Sequence, residues 1–334
     1  MFAKLIKYFY IMYFKILFRF AVLLITPLSA FCQTFQNLEN IKSVADGATV
    51  RLPDIHNAEF SEINYNKLVL PGPQFIISDD PEYIKEKEAI ALQENIQPGL
   101  VRLYLYNVNG VENPKISRKI SAILTNKGKE DMNFKILKSS SQSPSTNYYK
   151  LGKETLAHFF SSDHKVSAKT IKPGESVAID SLFENSIVKY NELAHGFYEF
   201  LIDQRGMISI VQTDPDTPGA KLINSETQIL SSSKQSGAGR GKFGVSNYLI
   251  TNDGPIIFDD EPKQLIIADG EKDHWIEGID GSTGEIAKLA GNYGVIYEID
   301  LNIHIPKNRD LALVTFNSRA ANNRWCGGMA LSIV

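Results

Sequence analysis

The stretch Val101-Arg102-Leu103-Tyr104-Leu105-Tyr106, followed by Asn107-Val108-Asn109-Gly110, decides the fold class of this chain. Aliphatic residues alternate with arginine and tyrosine in this stretch, and these residue types suit the half-buried surface of a β-strand. The asparagines and the glycine that follow are typical of a turn. Related strand patterns recur at 119–125, 133–137, 176–179, 196–202 and 208–213. Turn residues recur at intervals of roughly eight to twelve residues, and this spacing predicts antiparallel β-sandwiches rather than alternating strands and helices.

The second half of the chain repeats the strand pattern after a break. Asp214-Pro215-Asp216-Thr217-Pro218-Gly219 holds two prolines and a glycine, which preclude regular structure and mark a boundary. Clear strands resume after this break and a Ser/Gly-rich loop at 231–241. One short helix is predicted at 152–160. We predict an all-β protein with two immunoglobulin-like or jelly-roll antiparallel sandwiches, at 59–216 and 237–334, with a linker at 217–236.

The N-terminal residues have the composition of an export signal. Residues 1–32 contain four basic and no acidic residues, and an apolar run leads to Ala30 and Cys32. A basic start, a short apolar core and small residues at −3 and −1 predict a signal peptide cut between Cys32 and Gln33. A membrane anchor is the alternative, but the apolar run is shorter than the roughly 20 residues of a spanning helix. We therefore expect a secreted or cell-envelope protein with an N-terminal extension at 33–58 and no membrane span after cleavage.

Composition excludes several classes of protein. The 334 residues are 43% hydrophobic and 22% charged, as in globular proteins, and the net charge of −3 offers no basic surface for nucleic acid. Two cysteines are too few for a disulfide scaffold or a cysteine zinc framework. The sequence predicts no cofactor. Gly239-Arg240-Gly241-Lys242-Phe243-Gly244 matches a dinucleotide-binding pattern, but it precedes a strand-like stretch instead of a helix, so we interpret it as a flexible interdomain loop.

An acidic stretch near residue 275 has part of a calcium-loop spacing. His274 occupies the position at which such a loop needs glycine, and an aspartate replaces the final glutamate. The favoured interpretation is a solvated acidic loop with Trp275 packed in the core, and a calcium site is the alternative. The candidate ligands are Asp269, Glu271, Asp273, Glu277 and Asp280.

Aromatic side chains supply the candidate residues for ligand binding. Rings can stack on sugars, although aromatic residues on alternating strands more often belong to the core. The residues that we select as candidate ligand contacts are Trp275, Trp325, Tyr104 and Tyr106.

Catalytic motifs are lacking. The sequence has neither H-E-x-x-H nor G-x-S-x-G, and we interpret Cys326 as a buried apolar residue rather than a nucleophile. A glycosidase needs two carboxylates about 5 to 10 Å apart, and sequence gives no such distance. Carboxylates such as Asp79, Asp80 and Glu82 are interpreted as parts of turns.

Several segments resemble a group of exported bacterial proteins. They are Ser78-Asp79-Asp80-Pro81-Glu82, 101–109, Lys172-Pro173-Gly174-Glu175, 195–200 and 291–297. The chain is similar over 75–334 to proteins labelled as copper amine oxidase N-terminal-domain or stalk-domain proteins, although it lacks the stalk repeat. The resemblance implies an exported, surface-associated β protein. It implies neither copper nor amine oxidation, and no residue role follows from it.

Three functional hypotheses follow. The first is non-catalytic binding of a glycan or a surface protein at the cell envelope. The second is a polysaccharide hydrolase that uses a carboxylate pair, and the third is a structural surface module. A carboxylate pair at the floor of an aromatic-lined cleft would favour the hydrolase, whereas exposed aromatic residues on a flat sheet would favour binding.

Overall fold

The computed structural model describes residues 60–161, 166–223, 227–233, 239–257, 262–307, 311 and 313–314. The chain divides into two compact units, and one of them contains Ser61–Leu311. Five sequence-based predictions lie outside the described residues: the signal peptide at 1–32, its cleavage between Cys32 and Gln33, the extension at 33–58, and the roles of Trp325 and Cys326.

Strands dominate the described residues, and most belong to two sheets. The larger sheet has the order β18-β17-β13-β3-β6-β11-β8-β9, with β4 also paired to β6. Its strands are β3 Gln74–Ser78, β4 Tyr83–Ile84, β6 Gly99–Asn109, β8 Met132–Ser141, β9 Ser167–Ile171, β11 Leu193–Ile202, β13 Arg240–Phe243, β17 Glu277–Ile279 and β18 Ile286–Lys288. The smaller sheet has the order β10-β7-β12-β5, formed by β5 Ala89–Ile96, β7 Lys119–Asn126, β10 Ser176–Ala178 and β12 Gly206–Thr213.

Three further small sheets complete the strands. A three-stranded sheet has the order β19-β14-β2, from β2 Asn66–Leu70, β14 Asn247–Thr251 and β19 Ile296–Asp300. Two parallel pairs join β1 Ser61–Glu62 to β16 Lys263–Gln264, and β15 Ile256–Ile257 to β20 Ile303–His304.

The two main sheets form a sandwich around the principal core. Leu103 and Leu105 of β6 face this core, together with Leu124 of β7 and Ile208 of β12. Successive strand residues point to opposite faces, so Tyr104 faces the other side of the large sheet. The predicted all-β sandwich class is confirmed. Its assignment to an immunoglobulin-like or jelly-roll type stays a prediction.

Helices cover the outer faces of both sheets. Helix α1 (Tyr148–Ser161) matches the helix predicted at 152–160 and begins after Asn147, whose Oδ1 accepts the Lys150 N–H at 3.2 Å. It lies on the outer face of the large sheet. Helix α2 (Ser181–Glu184) is short and capped by Asp180. Within the described residues, no helix is long and apolar enough to cross a membrane.

The segment predicted as an interdomain linker packs against the sandwich. Helix α3 (Gly219–Ile223) places buried Leu222 on the outer face of the small sheet. Beyond it, Ile229 bridges to Ile90 of β5. Strand β13, on the far side of the segment, pairs with β3. The described residues of the segment therefore pack against the small sheet, and the division into two sandwiches at 217–236 stays a prediction.

The interpretation of 239–244 as a flexible loop is wrong, because residues 240–243 form β13 inside the large sheet. Gly241 has a φ of +116°, and a Cβ there would lie 2.3 Å from the carbonyl oxygen of Ile279. Glycine is required for this close approach to β17. The pattern of glycines thus reflects strand packing rather than a phosphate-binding loop.

Candidate functional site

The outer face of the large sheet carries a row of aromatic side chains. Strands β6 and β11 are antiparallel, with Tyr106 opposite His195 and Tyr104 opposite Phe197. Because strand side chains alternate, these four residues share one face, which α1 covers through Phe159. The ring centres of Phe159 and Phe197 are 4.2 Å apart. The helix therefore closes the lower part of the row, toward Phe197.

Asp79 lies at the upper end of this row. Strand β3 runs parallel to β6 with Ser78 beside Leu105, so the next residue, Asp79, continues toward Tyr106. The Asp79 N–H donates to the carbonyl of Gly239 at 2.9 Å, but its carboxylate accepts no hydrogen bond from the described residues. Burial, followed by the negative charges of Glu82 and Asp80, raises the Asp79 pKa well above its usual range.

Asp80 has a different role from its neighbour. Its carboxylate is buried and accepts the Ser233 N–H at 2.8 Å, and it also accepts the hydroxyls of Ser232 and Ser233. These bonds fix residues 232–233, within the segment predicted as a linker, to the end of β3. Asp80 is therefore a structural residue, and it leaves Asp79 as the carboxylate available on the outer face.

Glu82 supplies the second carboxylate. Its carbonyl oxygen accepts the Val108 N–H at 2.6 Å, which places it beside β6. Its carboxylate has no hydrogen bond to a described residue, and burial raises its pKa. The hydroxyls of Tyr83 and Tyr148 are 3.3 Å apart, and Tyr148 donates to the Asn191 carbonyl at 2.9 Å. The charge of Glu82 contributes to a raised pKa of Tyr148, after burial and the Tyr83 contact.

Two tyrosines complete what we term the acidic tyrosine cluster, which consists of Asp79, Glu82, Tyr104 and Tyr106. The two tyrosine rings are stacked with an interplanar angle of 10°. Tyr104 is only 5% exposed, yet neither hydroxyl has a hydrogen bond to a described residue. Burial first, then nearby carboxylates, raises the pKa of both hydroxyls. Asp79 follows β3 on the sheet face that carries both tyrosines, and the side-chain oxygens of these residues form no hydrogen bond with a described residue.

His195 lies beside Tyr104 and Tyr106 as a neutral side chain. Its Nδ1 lies 2.7 Å from the Leu105 carbonyl oxygen and donates to it, because a carbonyl can only accept. Its Nε2 is buried without a partner among the described residues. Burial lowers the His195 pKa to about 4, so the ring carries no charge near pH 7. The histidine therefore adds no positive charge to this face of the sheet.

The aromatic residues selected from sequence have different positions. Tyr106 is half-buried in the cluster, whereas Tyr104 is buried and presents little ring surface for stacking. Trp275 is half-buried in another loop, where its Nε1 donates to the Ala268 carbonyl at 3.0 Å. Among the described residues, no hydrogen bond or ring contact joins Trp275 to either tyrosine. Trp325 lies outside the described residues.

The five carboxylates of the acidic loop serve separate contacts. Asp273 is buried and forms an ion pair with Lys67. Its carboxylate also accepts hydrogen bonds from the Tyr297 hydroxyl at 2.7 Å and from the Ala268 N–H at 2.6 Å. Within the described residues, no group of three or more histidine, cysteine or acidic side chains is arranged to hold a metal ion. Asp269 accepts the Lys272 N–H, Glu277 pairs with Lys288, Asp280 pairs with Arg240, and Glu271 is exposed.

A surface groove of about 490 Å³ lies elsewhere, near the β1–β16 pair. Its polar groups are engaged with the protein, since Asn66 donates to Asp253 at 2.6 Å and Tyr65 donates to the Ile266 carbonyl at 3.0 Å. The groove therefore offers fewer unused hydrogen-bonding groups than the acidic tyrosine cluster.

The sequence predicts the cluster's tyrosines as ligand contacts but its carboxylates as turn residues. A signal was present, because Phe75, Ile77 and Asp79 follow one another at the two-residue spacing of a single strand face. Which face the acidic residue would join depends on the pairing of β3 with β6. That pairing is parallel and spans more than twenty residues of sequence, so local patterns do not reveal it.

We compared the chain with models of known protein families, with curated proteins and with solved structures, and found no significant match in any of them.

Proposed function

We propose that this chain is an exported cell-envelope or extracellular protein that binds a glycan, without catalysis, through the acidic tyrosine cluster. The observation that carries the proposal is that Asp79 lies on the sheet face of Tyr104 and Tyr106, with Glu82 bonded to the neighbouring Val108, and that the side-chain oxygens of these four residues have no hydrogen-bond partner among the described residues. Carboxylates accept hydrogen bonds from sugar hydroxyls, and tyrosine hydroxyls both donate and accept. A ligand with several hydroxyls would pair with these oxygens in place of water.

Glycan is a better candidate than a protein surface because the cluster is compact and polar. Protein interfaces usually have an apolar core of large side chains surrounded by polar residues. Here Tyr104 is buried, and the polar groups of the cluster are two carboxylates and two hydroxyls. A few convergent polar groups beside aromatic surface are typical of small-ligand sites.

Calorimetric titration of the purified protein with soluble polysaccharides tests this proposal. We expect Tyr106→Phe and Asp79→Asn each to weaken binding by about tenfold, equivalent to about 1.4 kcal/mol, because the first removes a hydroxyl and the second replaces one accepting carboxylate oxygen by an NH2 donor. Tyr65→Phe is the matched control, because its hydroxyl lies in the separate groove. Absence of binding to every polysaccharide, or affinity unchanged in both cluster variants, would overturn the proposal.

A polysaccharide hydrolase is the second candidate. The raised pKa values of Asp79 and Glu82 favour it, because a glycosidase needs one carboxyl group that keeps its proton near neutral pH. Release of reducing ends from a bound polysaccharide, lost in Asp79→Asn or Glu82→Gln, would establish hydrolysis and replace the non-catalytic proposal. Retention of intact polysaccharide after long incubation would support binding alone.

The exported location rests on the sequence of residues 1–32 and on the resemblance described above. We expect the mature protein to begin at Gln33. Cell fractionation and the intact mass of the exported protein test this. A chain that keeps Cys32 with an added lipid, or that stays in the cytoplasm, would contradict it.

A further inference from the structure

Two polar side-chain atoms are buried on the outer face of the large sheet without a hydrogen-bond partner. His195 is fully buried and Ser140 is 5% exposed, and neither His195 Nε2 nor Ser140 Oγ has a partner among the described residues. Ser140 of β8 lies opposite Phe197 of β11, and His195 is two residues from Phe197 on the same strand. All three side chains therefore share the face that α1 covers. Burial of these two atoms is unfavourable, because water would pair with them if the face were open.

The topology lets α1 leave this face without breaking a strand pair of the large sheet. The helix lies in the connection between β8 and β9, and these two strands pair directly with each other at the edge of the sheet. The start of α1 is hydrogen-bonded to the start of β11. Ser145 and Leu193 exchange backbone hydrogen bonds at 2.9 and 3.3 Å, and the Tyr148 hydroxyl donates to the Asn191 carbonyl at 2.9 Å. These bonds would keep the first turn in place while the rest of the helix moves.

The middle of α1 contains a glycine that close packing does not require. Gly152 belongs to the buried stripe of the helix, together with Leu151, Thr155 and Phe159. A Cβ at position 152 would meet no atom within 4 Å. Because glycine is among the least favourable residues inside a helix, it weakens α1 without a gain in packing. The last turn is held to the sheet by the contact between Phe159 and Phe197.

We propose that α1 is a cover that opens from the large sheet beyond its first turn while the sandwich stays folded. A detached helix of this length is marginal in water, so opening includes local unfolding of α1. Opening hydrates His195 Nε2 and Ser140 Oγ and exposes the ring of Phe197. These groups continue the face that carries the acidic tyrosine cluster, so opening lengthens the surface that a bound glycan reaches. That consequence rests on the proposed function, whereas the opening itself does not.

Labelling of the full chain with diethyl pyrocarbonate tests the opening, because this reagent acylates a neutral imidazole only when it reaches the ring nitrogen. Mass spectrometry follows His195, with the exposed His304 as the internal reference. We expect His195 to react in the folded protein, at least about tenfold more slowly than His304. Gly152→Ala should slow the reaction of His195 by about fivefold, because alanine stabilises the closed helix. Phe159→Ala should accelerate it by at least about tenfold, because it removes the apolar contact that holds the last turn.

Leu222→Ala is the control that separates local opening from global unfolding. It removes a buried side chain of α3 on the small sheet and should leave the His195 rate unchanged. Equal acceleration in Leu222→Ala and Phe159→Ala overturns the proposal, because the reagent would then reach His195 only through global unfolding. Absence of reaction at His195 in the folded protein also overturns it.

Gly152→Ala keeps the test decisive if Phe159→Ala does not fold, since an unchanged His195 rate in Gly152→Ala contradicts the proposal as well. Thermal unfolding shows which variants are folded. No glycan is present in these experiments, so failure of the proposed glycan binding would leave their outcome unchanged.

Discussion

Asp79 and Asp203 are two aspartates whose pKa values shift in opposite directions. The folded protein raises the pKa of Asp79, through burial and then the charges of Glu82 and Asp80. It lowers the pKa of exposed Asp203, chiefly through hydrogen bonds from Asn133, one of them an N–H at 2.7 Å. Folding therefore favours the proton on Asp79 and disfavours it on Asp203.

The same substitution at these two aspartates should have opposite effects on stability. In the unfolded chain the pKa of an aspartate is about 3.9. Because the folded protein raises the pKa of Asp79, this residue lowers the free energy of unfolding as the pH rises from the unfolded pKa through the folded pKa. Asp79→Asn should therefore raise the melting temperature at about pH 8 and leave it nearly unchanged at about pH 3. Asp203→Asn should lower the melting temperature near about pH 8, because the stability gained above the unfolded pKa is lost. Thermal unfolding at the two pH values measures both, and a lower melting temperature for Asp79→Asn at the higher pH would contradict the assignment.

At the scale of the elements, Arg102 of β6 ties three segments together. It is buried, pairs with Glu199 of β11 at 2.6 Å, and donates to the Ser246 carbonyl at 2.7 Å and to Asn247 Oδ1 at 2.9 Å. A further bond reaches the Gly294 carbonyl at 3.3 Å. One side chain therefore connects the large sheet to the turn before β14 and to the chain before β19.

Removal of this buried cation should destabilise the protein strongly. Arg102→Met would leave Glu199 uncompensated and three acceptors without their donor, at an expected loss of about 3 kcal/mol or more. Lys288→Met is the control, because it breaks the exposed pair with Glu277, and such pairs contribute about 0 to 1 kcal/mol. Chemical denaturation gives the two free energies of unfolding. Similar small losses in both variants would show that Arg102 is not a structural link.

The elements also show how far sequence reasoning reaches. Alternation in β6 correctly predicted a strand, and α1 was found from its apolar spacing. Strand β13 was missed because its glycines are typical of loops, and only the approach to Ile279 explains Gly241. Asp79 and Glu82 were interpreted as turn residues, because a turn motif indicates where the chain reverses direction. It does not indicate which side chains from other strands lie next to the turn. Their tyrosine neighbours come from β6, whose pairing with β3 and β4 is tertiary information.

At the scale of the whole molecule, the outer face of the large sheet is covered by residues from both halves of the sequence. Phe75 of β3 packs near Phe243 of β13, with ring centres 6.0 Å apart. The same apolar cluster includes Tyr248 and Leu289. Without the later segments, this part of the face would be exposed and β3 would become an edge strand. Such an exposed apolar edge favours aggregation.

A chain that ends at Asp216 should therefore not fold alone. We expect residues 33–216, expressed by themselves, to be insoluble or to show no cooperative thermal transition, because β3 loses its β13 partner and Phe75 loses its cover. Co-expression with 217–334 is the control, since the second fragment supplies β13, β17 and the residues of the shared cluster. Recovery of soluble complex would show that the fragments are competent and mutually dependent. A soluble 33–216 fragment with its own cooperative transition would instead support two independent sandwiches, as the Pro-rich boundary in the sequence predicts.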